Sequence, residues 1–117
     1  MASDRKLADR TVDYGLAVMD LCGRFPQGFA ARHIADQLLR SATSVAANYA
    51  EATDAESRDD FVHKLKIALK ELKESRVWLR FASRLPGAPD IEALRLESRE
   101  LVLMLGKSIA TASNAED

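Results

Sequence analysis

Two proline-containing breaks, Phe25-Pro26-Gln27-Gly28 and Leu85-Pro86-Gly87-Ala88-Pro89, separate stretches in which apolar and small residues recur alternately three and four apart. That spacing returns side chains to one face of an α-helix at every turn, whereas a strand surface requires strict alternation. Proline cannot continue a helix, so the breaks also fix where the helices stop. Between them, residues 53–57 supply a third boundary without proline. Ser57 three residues ahead of Asp60 reads as an N-cap, with acidic side chains in a first turn where they complement the helix dipole. Four helices are expected, at about 4–24, 29–53, 57–85 and 90–113.

Each segment carries one seam. The first is Leu7, Thr11, Tyr14, Val18, Leu21 and Phe25, and the second Ile34, Leu38, Ser41, Val45, Asn48 and Ala52. The third is Phe61, Leu65, Ala68, Leu72, Ser75, Leu79 and Ala82; the fourth is Ile91, Leu94, Ser98, Leu101, Leu105, Ser108 and Ala112. Four single-stripe helices of similar length with short connections predict an all-α fold, an antiparallel up-down-up-down four-helix bundle packed at about 20°. With 117 residues, the chain is expected to be one domain, 1–117. Only five glycines and three prolines interrupt an Ala-, Leu- and Arg-rich composition, which agrees with long helices. The stretch Ser41 to Ala52, SATSVAANYAEA, is nearly all small residues and lets a neighbouring helix approach closely.

The single cysteine, Cys22, has no partner for an internal disulfide, and the charged start MASDRKLADR lacks a signal-peptide core. The longest aliphatic run, Leu101 to Leu105, is far too short to span a bilayer, so a cytoplasmic protein without membrane association is expected. A net charge of -1 argues against wholesale polyanion binding, but residues 57–85 carry eight Lys/Arg against four Asp/Glu.

On a helical wheel the third helix has a second apolar face. Ile67, Trp78, Phe81 and Leu85 fall nearly opposite its seam, and a lone bundle leaves such a face without a partner. These four residues are the expected oligomer interface, and the partner is the chain itself. Across the hairpin of the second and third helices, Arg40 falls near Glu71 or Glu74, and Asn48 and Glu51 near Lys64 or Asp60. The resulting polar groove sets helix register. Lys66, Lys70, Lys73, Arg80 and Arg84 share one flank of the third helix, a stripe suited either to solvent or to a phosphate backbone of RNA or DNA.

Catalytic and metal-binding residues are not expected, and neither is a cofactor. Carboxylate-bridged dimetal bundles need Glu-x-x-His, and neither His33 nor His63 stands three residues after a glutamate. Grouping Glu51, Glu71, Glu74 and His63 as an acid–base site is the enzymatic alternative. Neither a glycine-rich phosphate loop nor a Gly-x-Ser-x-Gly elbow occurs in the chain.

The run from Gln37 through Arg40-Ser-Ala-Thr-Ser-Val-Ala-Ala-Asn48 to Glu51-Ala52, then Ser57, Asp60-Phe61 and Lys64-Leu-Lys-Ile-Ala-Leu-Lys-Glu-Leu-Lys-Glu-Ser-Arg-Val-Trp-Leu79, resembles a bacterial four-helix-bundle family. That family is named for open reading frames in intervening sequences of 23S rRNA genes. The resemblance includes Phe25-Pro26 and spans nearly the whole chain. It implies a ring-like homopentamer without established enzymatic activity or cofactor, and distant kinship with the basic, pentameric accessory protein of diversity-generating retroelements, which works with nucleic acid. The family motif falls on Arg40, Ser44, Asn48, Glu51, Phe61, Lys64, Lys70, Glu71, Glu74 and Trp78. Leu39, Ala46 and Ala52 stand where broader members often carry a second basic residue, proline and glycine. Two functions therefore compete: a homo-oligomeric scaffold or interaction protein, and a nucleic-acid-binding accessory protein.

Overall fold

The four seams become one interior in the computed structural model, which describes residues 2–114, with side chains from Lys6 onward. Met1 and residues 115–117 of the expected domain lie outside the described residues. The helices are α1 (Ala2–Cys22), α2 (Phe29–Thr53), α3 (Arg58–Ala82) and α4 (Glu92–Asn114), and the described residues contain no strand. Each helix packs on its chain neighbours and α4 also packs on α1, which closes a ring of contacts around the core; the α2–α3 contact is the most extensive and α1–α4 the least. The molecule measures 51 × 21 × 19 Å.

Burial follows the seams closely. Leu38, Leu65, Leu72, Leu101 and Leu105 have no solvent exposure, and a leucine buried in this way contributes about 1.5–3 kcal/mol. The small-residue segment of α2 is where α1 comes close: the Cα of Gly15 sits over Thr43 and Ala42, near enough that an added Cβ makes van der Waals contact at 3.5 Å.

One layer of the core is built around a tyrosine. Tyr14 on α1 is buried, and its hydroxyl lies 2.7 Å from the Ser75 hydroxyl on α3. Ser75 Oγ donates to the Leu72 carbonyl at 2.6 Å, so Tyr14 is the donor in that pair. Ser98 on α4 accepts from Arg76 Nε at 3.0 Å and donates to the Arg95 carbonyl at 2.9 Å. Ser41 on α2 is also fully buried, adjacent to Arg40, which reaches Glu74 one residue before Ser75. Three helices thus present serine at the level where the fourth presents tyrosine. The small side chains leave room for the ring, and their hydroxyls are satisfied by carbonyls of their own helices. Burial, partly offset by hydrogen bonding to Ser75, pushes the Tyr14 phenol up to about 12.

The helix ends show what local chemistry decides. Ser57 accepts from the Asp60 amide at 3.1 Å, the cap read from the sequence. Gly28 precedes α2 with φ 132°, a conformation open to glycine and strained for other residues. The third helix stops at Ala82, three residues earlier than the spacing predicts, and α4 begins at Glu92. The backbone tightens there into i→i+3 bonds, Arg84 to Phe81 at 3.0 Å and Leu85 to Ala82 at 3.1 Å. Pro86 disfavours helical geometry at Leu85, and Gly87 turns the chain with φ 74°.

Candidate interaction faces

The polar groove along α2 and α3 forms from residues at similar distances, to within about one turn, from the connection between them. Lys64 Nζ lies 2.8 Å from Glu51 Oε1, and Arg40 pairs with Glu71 at 3.2 Å and with Glu74. The hydrogen bond that Lys64 donates to Glu51 holds its ammonium above the ordinary range. Glu74 also accepts from Trp78 Nε1 at 3.0 Å, so one carboxylate joins Arg40 on α2 to Trp78 on α3. Asn48 donates instead within its own helix, to the Ser44 carbonyl at 2.9 Å. The carboxylates of the enzymatic alternative are thus engaged with cations. Among the described residues, no group of three His, Cys, Asp or Glu side chains is arranged to hold a metal ion.

Sequence reasoning set Ile67, Trp78, Phe81 and Leu85 on one outward face, and the structure divides them. Trp78 is half-buried against the core, with its ring 5.6 Å from His33 of α2 in an edge-to-face contact and 5.5 Å from Phe81. Ile67 is also half-buried, and its spacing places it on the Glu71–Glu74–Trp78 flank facing α2. Leu85 lies beyond the end of α3, half-buried and lining a small hollow with Phe29 and Pro26. Phe81 alone is widely open, 55% exposed, with Val77 beside it on the outer surface of α3. The drift arises because the wheel places residues only relative to the seam, whereas the wide α2–α3 contact covers one flank as well.

The basic stripe is wholly on the surface: Lys66, Lys70, Lys73, Arg80 and Arg84 are all exposed, on the same outer side as Val77 and Phe81. A feature absent from the sequence reading lies on α1. Val12, Leu16 and Met19 are exposed on its outer face, opposite the buried Tyr14, Val18 and Leu21. Their spacing of four and then three residues was the available signal, masked by the charged residues between them.

Between α1 and α4, an open groove of about 400 Å³ is lined by Asp13, Asp20, Asp90 and Glu97 together with Arg24. Arg10 spans the same two helices, with Nη2 2.7 Å from Glu97 Oε1, which strengthens the hold of Arg10 on its proton. Cys22 is half-buried, with Sγ 3.8 Å from the Ala35 carbonyl. Burial, and secondarily Asp36, pushes the thiol up to about 11, so at neutral pH it is protonated and a poor nucleophile. No helix among the described residues is long and apolar enough to cross a membrane.

Comparison with known proteins places this arrangement. A crystal structure of a protein of unknown function from the S23 ribosomal protein family of Bacteroides thetaiotaomicron matches with a TM-score of 0.80 at 31% sequence identity, covering 92% of this chain and 98% of that one. Among curated proteins no match was found. Residues 4–107, from the first turns of α1 to well into α4, match the description "23S rRNA-intervening sequence protein". The chain belongs to the 23S rRNA-intervening sequence protein family.

Proposed function

We propose that this chain is a non-enzymatic, cytoplasmic scaffold or interaction protein: an antiparallel up-down-up-down bundle that assembles with copies of itself, as a homopentamer on the family resemblance. The observation that carries the reading is the open apolar pair Val77 and Phe81 on α3, outside the buried core. The up-down order is supported by the pairs Glu51–Lys64 and Arg40–Glu71, the first near the connection of α2 and α3 and the second about as far from it on either side. Trp78, held by His33 and Glu74, is a rigid support beneath Phe81 rather than a free anchor. An aromatic at the centre of an interface typically contributes about 2 kcal/mol or more. Phe81→Ala is therefore expected to weaken assembly by roughly 30-fold or more, with helicity by circular dichroism unchanged. Sedimentation across a dilution series measures this, and an unshifted dissociation midpoint counts against Phe81 as an interface residue.

The five exposed bases on α3 favour a second reading, an RNA- or DNA-binding accessory protein. It requires affinity that falls steeply with salt and drops when Lys66, Lys70 and Lys73 are neutralised together. Absence of a mobility shift at low salt removes it.

A further inference from the structure

The outer faces of α1 and α3 are complementary in both apolar content and charge. On α1, Val12, Leu16 and Met19 form a stripe about 10 Å long, and Leu16 is 53% exposed. Asp9, Asp13 and Asp20 are exposed along one edge of that stripe, with Arg24 3.8 Å from Asp20 at its end. On α3, Val77 and Phe81 form the apolar part, surrounded by the exposed Lys66, Lys70, Lys73, Arg80 and Arg84.

We infer that these are the two halves of a single interface, with the acid-edged α1 stripe of one copy docking on the base-edged α3 stripe of the next. The inference rests on the self-assembly reading above and specifies its geometry. Neither half suits a copy of itself, because two α3 faces set together oppose two basic stripes, and two α1 faces oppose two acidic edges. Like charges facing each other across an interface oppose it, whereas opposite charges fix register and speed encounter. Each bundle carries both halves, so a second copy of this chain is the occupant with the required chemistry. Contacts between unlike patches are head-to-tail, and they close into rings when the rotation between neighbours allows. The same contact covers the basic stripe, so assembly and nucleic-acid binding compete for Lys70 and Lys73.

The test uses two variants that each spoil one half, Leu16→Arg and Phe81→Glu. Both positions are about half exposed, so the fold is expected to persist, and circular dichroism checks that it does. Each variant alone is expected to run at the mass of one chain. Mixed in equal amounts they are expected to associate, with two chains as the smallest species, since the intact α3 face of the first meets the intact α1 face of the second. A mixture that stays at one chain, or either variant retaining the parent's mass, overturns the head-to-tail pairing while leaving self-assembly of the parent in place. A parent that is itself a single chain overturns both. Met19→Arg with Val77→Glu repeats the experiment on the same two faces if either first variant loses helicity.

Discussion

Replacing Tyr14 with alanine is expected to cost about 3–5 kcal/mol of stability, the range for removing a large buried aromatic. The ring is buried beside Ser75 of α3 and Ser98 of α4, two side chains too short to fill the space it would leave. Tyr14→Phe keeps the ring and removes only its hydroxyl. Ser75 and Ser98 retain bonds to their own carbonyls, and the expected cost is about 1 kcal/mol. Urea or guanidinium unfolding at one fixed protein concentration measures both, because the midpoint of an assembling protein depends on concentration. Equal losses for the two variants contradict a layer held by packing of the ring.

The second large effect is alkaline. The Tyr14 phenol ionises near 10 in the unfolded chain and near 12 in the fold, because burial disfavours the phenolate. Its folded pKa is raised, so its contribution to stability is complete below pH 10 and is lost as the pH climbs towards 12. The loss is on the order of 2–3 kcal/mol. Lysines also titrate in this window, so the informative quantity is the difference between the parent and Tyr14→Phe. The parent is expected to lose stability more steeply from pH 10 to 12, and parallel curves contradict the assignment to Tyr14.

Much of the fold was legible because four seams and three boundaries leave few alternatives. Ser57 announced its cap, and the short connection from α2 to α3 fixed which residues meet, so Arg40 with Glu71 and Glu74, and Glu51 with Lys64, followed by counting. Counting puts Asn48 in the same groove, and its amide donates to the Ser44 carbonyl one turn back in its own helix. The tyrosine–serine layer was not legible even though all four residues lie in the seams. Its height depends on how three connections of different length stack, which a seam does not encode. Arg10 with Glu97 was hidden for the same reason, since the α1 and α4 partners are 87 positions apart in the sequence. On α3, a wheel separated core from surface but not surface from the flank under α2, which is why Trp78 and Phe81 were grouped although one is half-covered and the other open.

These faces matter to function only if the bundle assembles, so the most direct measurement is the native mass of the parent chain by light scattering. A single species near five times the 12.9 kDa chain is expected, and a stable mass of one chain across the accessible concentration range contradicts self-assembly.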